Sequence, residues 1–373
     1  MFRTLVVVMM FSVLTLINCA KQPEGFTITG NVEGFADSTL LYLQNPDTQT
    51  KIDSSLVIGG KFQFKGILEY PNALFIMEKS VNRTRPTYTS FWVENSNITV
   101  TGTKEEFRFV KVEGSESQKI ADILRNKTRS FEEKSMIHSD SLMQKYKSAA
   151  PRGEIDQIRD EMKTIRSQMK EIQIDFVKEY TNSYAALQYL YFLKTDIPRD
   201  TLQLLYDKLE SKFKNSIFAE PITIYLNSKL VDVDDDYADF DAKTFEGKSV
   251  KFSDFVKEKY VLLDFWSTGC GPCRSANKHM SEHYDEVKDY LEVVSFSMDK
   301  NKEYMEIGIK EDDIKWNVIS NMKGYQGEVP ITYQVMGIPT FFLISPEGKI
   351  VKKYVGFNQE RFDEILAIAK GEK

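Results

Sequence analysis

Residues 26–113 alternate apolar and polar positions. Phe26-Thr27-Ile28-Thr29-Gly30, Lys61-Phe62-Gln63-Phe64-Lys65-Gly66, Asn97-Ile98-Thr99-Val100-Thr101-Gly102 and Phe107-Arg108-Phe109-Val110-Lys111-Val112 each put alternate side chains on one face. That period predicts short strands, and turn signals such as Gly59-Gly60 separate them. An antiparallel β-sandwich is expected over 26–113. The segment contains no Cys or His and no glycine-rich phosphate loop, which leaves it a spacer or partner-binding role.

From 114 to 230 the period changes. Ile155, Ile158, Met162, Ile165, Met169, Ile172 and Phe176 follow the 3,4 spacing of an amphipathic helix with a narrow seam. Ala149-Ala150-Pro151-Arg152-Gly153 divides this stretch from an earlier helical one at 117–147. An intrachain antiparallel hairpin is the expected arrangement, and a dimerising coiled coil is the alternative. Further helices are expected over 183–193, 199–213 and 220–230. The acidic run 232–236 reads as a solvated linker, since it lacks the glycine and distal Glu of a calcium loop.

From 237 to 373 strands alternate with helices. Strands are expected at 260–266 and 291–298, a helix at 273–289, a hairpin of 340–345 with 349–354 across Pro346-Glu347-Gly348, and a closing helix at 361–370. This order predicts a compact α/β domain. The expected fold is thus multidomain: a β-sandwich at 26–113, a helical region at 114–230 and an α/β domain at 237–373.

The first 18 residues read as a secretory signal. Arg3 supplies the positive start, and the apolar run from Leu5 to Ile17 is shorter than the ~20 residues that span a bilayer. Its end, Leu16-Ile17-Asn18-Cys19, resembles a bacterial lipobox, which implies lipidation of Cys19 and a membrane-anchored mature chain. Asn18 stands where that pattern prefers Gly, Ala or Ser. An ordinary signal with an incidental cysteine is the alternative.

Composition narrows the chemistry. The 49 basic and 55 acidic residues leave a net charge of −6, with no global pull toward nucleic acid. Of three cysteines, Cys270 and Cys273 remain beyond the leader. They sit in Trp266-Ser267-Thr268-Gly269-Cys270-Gly271-Pro272-Cys273, where an apolar strand hands over to a helix. A helix N-terminus offers unpaired N–H groups and partial positive charge, so a thiolate there is stabilised. Cys270 comes first, at the exposed end, and Cys273 faces it one turn on. Such a pair can attack a disulfide through Cys270 and resolve the mixed disulfide through Cys273. Asp264 interrupts an otherwise apolar strand. A lone buried carboxyl has a raised pKa and suits proton transfer, although a hydrogen-bonded core residue is the competing reading.

A zinc site is a rival, because His279 and His283 follow the cysteines. On one helix His279 rises ~9 Å above Cys273, beyond the reach of a shared ion, so no metal and no cofactor are expected. A purely structural disulfide across so short a loop adds little stability.

Asp264-Phe265-Trp266, Cys270-Gly271-Pro272-Cys273 and the distal Ile338-Pro339-Thr340 together resemble the thioredoxin superfamily. The nearest likeness is to membrane-anchored TlpA/ResA-type thiol–disulfide oxidoreductases, and it covers 237–373. The resemblance implies a cis Pro339 against the redox pair. It implies substrate contacts through Trp266, Gly271, Pro272 and Ile338, with Cys270, Cys273, Asp264 and Pro339 as the catalytic set. The segment between Met298 and Met336 is longer than in plain thioredoxin, as in that branch. Gly269 replaces the usual Trp, and Ala276 stands where some relatives carry Glu. The loose pattern in 26–113 resembles the small β-domain found ahead of such domains in Bacteroidetes lipoproteins.

The Gly-Pro between the cysteines resembles reducing thioredoxins. A pair of that kind lies about 150 mV below the oxidant DsbA, or ~7 kcal/mol over two electrons. An envelope reductase is therefore expected. It would act on protein disulfides, be re-reduced by a membrane donor of the DsbD type, and be lipid-anchored facing the periplasm, on the outer membrane as the expected site. A peroxiredoxin-like protein and a binding or assembly lipoprotein are the alternatives. The peroxiredoxin loop needs a proline that Leu263-Asp264 do not offer.

Overall fold

The computed structural model describes residues 24–46, 50–79 and 87–372. The leader and Cys19 lie outside them. The chain opens with β1 (Phe26–Glu33), β2 (Leu40–Asn45), β3 (Thr50–Leu56), β4 (Lys61–Gly66), β5 (Asn72–Glu78), β6 (Tyr88–Val93), β7 (Asn97–Thr103) and β8 (Lys111–Glu113). They form two four-stranded sheets, ordered β4-β1-β7-β8 and β3-β2-β5-β6. Neighbours are antiparallel except β1 and β7, which run parallel. Alternation aims Phe26, Ile28, Phe64 and Val100 of the first sheet and Leu41, Leu43, Leu74 and Ile76 of the second into one shared cluster. Gly30 is required within it, because a Cβ there would meet the Phe62 ring at 2.0 Å.

The strand expected across 107–112 is mostly absent. Phe107–Phe109 forms a 3₁₀ turn, and only β8 pairs with β7. Phe107 is buried edge-on against Phe35, while Phe109 lies under Arg125 and Arg129. Two aromatics with different partners produce the same alternation as a strand.

The middle region contains α1 (Glu116–Lys147), α2 (Arg152–Glu179), α3 (Tyr184–Phe192), α4 (Arg199–Asp207), α5 (Ser211–Lys214) and α6 (Ala219–Asn227). The Ser115 hydroxyl caps α1 by accepting from Gln118 N at 3.1 Å. The chain reverses through Ala149 at φ +50° and re-enters a helix after Pro151. Cross-pairs His138–Glu161 (2.7 Å) and Lys145–Glu154 fix the two long helices as an antiparallel hairpin, so the predicted seam is filled within the chain. At its base Leu124, Phe176 and Val177 join Leu187, Leu202 and Ile222, together with Trp92 of β6. The 199–213 stretch is two helices rather than one. Its break comes where Asn182 Oδ1 accepts from Glu210 N at 2.9 Å.

The remainder folds as β9 (Asp241–Thr244), β10 (Ser249–Lys251), β11 (Tyr260–Trp266), α7 (Gly271–Val287), β12 (Leu291–Ser297), α8 (Lys302–Glu311), β13 (Asn317–Ser320), α9 (Glu328–Thr332), β14 (Thr340–Ile344), β15 (Ile350–Val355) and α10 (Gln359–Ala369). The sheet order is β10-β9-β13-β12-β11-β14-β15. β11 is an inner strand, parallel to β12 and antiparallel to β14. It is covered on both faces, as its near-continuous apolar sequence requires. Val261, Leu263 and Phe265 enter one cluster, and Leu262 enters another beside Ala276 and Met280 of α7.

The acidic run is not a free linker. Asp234 N donates to Ile350 O and Ile350 N to Asp235 O, both at 2.9 Å. Asp236 pairs with Lys349 at 2.9 Å. Backbone pairing is indifferent to side-chain charge, so exposed carboxylates do not keep a segment off a sheet edge. Among the described residues no helix is long and apolar enough to cross a membrane.

Candidate active site

β11 ends at Trp266, and four residues separate it from α7, which begins at Gly271. Cys270 caps this helix, and Pro272 occupies its first turn. Cys273 N donates to Cys270 Sγ at 3.1 Å. The two cysteines form a disulfide with Cα atoms 5.2 Å apart. Cys270 is half-buried and Cys273 fully buried.

Register explains how a segment nearly seventy positions away reaches the pair. Thr340 of β14 lies opposite Phe265 of β11, so the residues just before β14 fall beside the loop just after β11. Ile338 O is 3.6 Å from Cys270 Sγ. The Ile338–Pro339 peptide bond is cis, as the resemblance implied. Gly271 and Pro272 are exposed and Ile338 is half-buried. Trp266 is fully buried and packs with Cys273 and Met305 beneath the pair.

Asp264 faces the α7 side of the sheet and borders a small cavity lined by Ala276 and Asn277. Its Oδ2 accepts from Ser295 Oγ at 2.8 Å, and its Oδ1 has no partner. Burial raises its carboxyl to about 7, only partly offset by the Ser295 hydrogen bond.

Sequence reasoning missed the scaffold of the loop that leads to Cys270. Buried Asp299 accepts from Thr268 N (3.0 Å), Thr268 Oγ1 (2.9 Å) and Ser297 Oγ (3.1 Å). Burial raises its pKa against those three donors. Arg274 of α7 donates to Asp312, to Glu311 (2.9 Å) and to Thr268 O (3.3 Å). The one available signal was the position of Asp299 just past an apolar strand, at the sheet end where α/β folds place their sites.

His279 and His283 do not join the cysteines. His279 packs edge-on against Phe362 at 4.6 Å, and with Glu282 and His283 it forms a separate group whose ligand atoms lie within 4.8 Å of one another.

A family model described as a domain of unknown function, DUF4369, matches residues 26–120, and one described as the AhpC/TSA family matches 233–353. The thiol-disulfide oxidoreductase ResA of Bacillus thuringiensis is 35% identical over 123 residues, covering 32% of this chain and 69% of that protein. ResA of Bacillus subtilis is 30% identical over 184 residues, covering 48% of this chain and 94% of that protein. The chain belongs to the ResA-type thiol–disulfide oxidoreductases. A thioredoxin domain of a thiol-disulfide oxidoreductase from Bacteroides vulgatus is 29% identical with a TM-score of 0.34, covering 38% of this chain and 98% of that one. A Cβ at Gly269 would lie 3.3 Å from the Tyr304 hydroxyl, and Ala276 packs with Met280 and Leu262 in the core.

Proposed function

We propose that Cys270 and Cys273 are the redox centre of an envelope reductase that acts on protein disulfides. The observation that carries this reading is the placement of Cys270 as the half-exposed cap of α7, with Cys273 buried behind it. The helix N-terminus and the Cys273 N–H favour a thiolate on Cys270. In the reduced pair that thiolate bonds to one sulfur of the substrate disulfide, and the other sulfur leaves as a thiolate. Cys273 gives up its proton and attacks Cys270 Sγ. The enzyme disulfide forms, and the substrate is released with two more electrons than it brought. Asp264 is the candidate acceptor of the Cys273 proton, since its titration near neutrality suits the task. Ile338 and Pro339 shape the substrate groove.

In an oxidising envelope the spent pair needs a donor, and a membrane carrier of the DsbD type supplies that chemistry. Lipidation of Cys19 would hold the chain at a membrane facing the periplasm. Residues 237–373 then form the catalytic unit, 26–113 a β-sandwich and 114–230 its helical support.

Reduction of insulin disulfides tests the reading. Cys270→Ser should abolish it, and Cys273→Ser should accumulate mixed disulfides on Cys270. Undiminished reduction by Cys270→Ser, or a pair potential near that of DsbA, would sink it.

A further inference from the structure

A cleft of about 900 Å³ opens beside the redox pair, and its lining comes from all three parts of the chain. Gly269, Ile338 and Tyr304 form the near wall. Phe75 and Met77 of β5 and Phe192 at the end of α3 stand among the residues opposite. The register of β5 explains the far wall. Leu74 and Ile76 point into the shared core of the two sheets, so Phe75 and Met77 belong to the outer face. That face is ordinarily polar when it meets water. Here it carries an aromatic ring and a thioether, and it borders the same cleft as Gly269 and Ile338 beside the cysteines. Phe192 remains 53% exposed and Tyr304 42% exposed, and neither enters any of the hydrophobic clusters. The cationic group in the lining, Lys300, is engaged with Gln326 at 2.7 Å. The cleft thus offers apolar surface on both sides of the approach to Cys270.

We propose that Phe75, Met77 and Phe192 form the second wall of the substrate cleft and select extended polypeptides bearing a large apolar side chain beside the reacting cysteine. The occupant follows from continuity. The cleft runs into Ile338, whose carbonyl lies 3.6 Å from Cys270 Sγ, so whatever fills it is attached to the disulfide under attack. A two-walled cleft admits a strand more readily than a folded surface. The assignment rests on Cys270 as the attacking residue. The exchange itself is unchanged: Cys270 bonds one peptide sulfur, the other leaves as a thiolate, and Cys273 closes the enzyme disulfide.

The test uses the full chain, reduced beforehand with dithiothreitol. Three disulfides serve as probes: bis(2-hydroxyethyl) disulfide, a disulfide-linked peptide with Phe and Leu flanking its cysteine, and the same peptide with Gly and Ser there. The apolar peptide should oxidise the pre-reduced chain with a second-order rate constant about tenfold above that of the Gly/Ser peptide, the range a pocket for apolar side chains provides. Phe192→Ser and, separately, Met77→Ser should bring that ratio toward one, and Phe192→Leu should keep most of it. A wild-type ratio of one, or an unchanged ratio in both serine variants, overturns the proposal. Reduction of bis(2-hydroxyethyl) disulfide by Cys270→Ser at the wild-type rate would instead remove the reading of Cys270 beneath it.

Discussion

A carboxyl group in the middle of an inner strand costs free energy whenever it is charged, and Asp264 is such a group. Its pKa rises from 3.8 to about 7 on folding because burial disfavours the charged form. A raised pKa means that the folded chain holds this proton more tightly than the unfolded one. The contribution to stability is therefore complete below the unfolded value and lost as pH climbs through the folded one. Between pH 5 and pH 9 the loss amounts to roughly 3 kcal/mol. Urea unfolding should show Asp264→Asn with a flatter pH dependence over that window than the native chain. If Asp264 accepts the Cys273 proton, the native reduction rate should also rise with pH through about 7, and Asp264→Asn should lose that limb. Asp264 was legible in the sequence because it stands alone among apolar neighbours. Asp299 and the Arg274–Asp312 pair were not, because each lies in a stretch as charged as ordinary surface.

The long hairpin shows how far local pattern reaches at the scale of elements. A 3,4 seam of Ile, Met and Phe specifies a helix and its buried stripe, and α2 follows it from Ile155 to Phe176. What the seam packs against differs along its length. Met162 is half-buried in the hairpin itself, whereas Phe176 is fully buried in the core that α2 shares with α3, α4 and α6. Phe176→Ala should therefore cost ~3–5 kcal/mol, and Met162→Ala distinctly less, read as shifts in the urea midpoint by far-ultraviolet circular dichroism. The shortest of the elements that the sequence pattern did not resolve illustrate one cause. β9, β10 and β13 have three or four residues each, too few for any period to declare itself.

The parts of the molecule are joined by contacts that no single segment advertises. Val231 N donates to Thr332 O at 3.0 Å, and Gln334 Nε2 donates to Val231 O at 3.1 Å. Glu220 pairs with Lys323 at 3.3 Å on an exposed surface, which adds little stability but lies along the same seam. Phe75, Met77 and Phe192 line one cleft together with Gly269 and Ile338. The reading of the chain as anchored is tested at the same scale. Cys19→Ser should move the protein from the membrane to the soluble envelope fraction, because a lipidated chain with several acyl groups binds stably and one without them does not. Equal membrane recovery of both forms would remove the anchor. By itself the sequence determined the local properties of this protein: the Cys-Gly-Pro-Cys motif, the helix that carries it, the alternation of the N-terminal strands and the helical seam. Each depends on residues within a few turns of one another. Only the tertiary structure decided that Trp266 is covered, that Asp299 holds Thr268 from 31 positions away, and that β5 borders the same cleft as Gly269 and Ile338. Those outcomes depend on which surfaces meet, and surfaces assembled from distant segments leave no periodic trace along the chain.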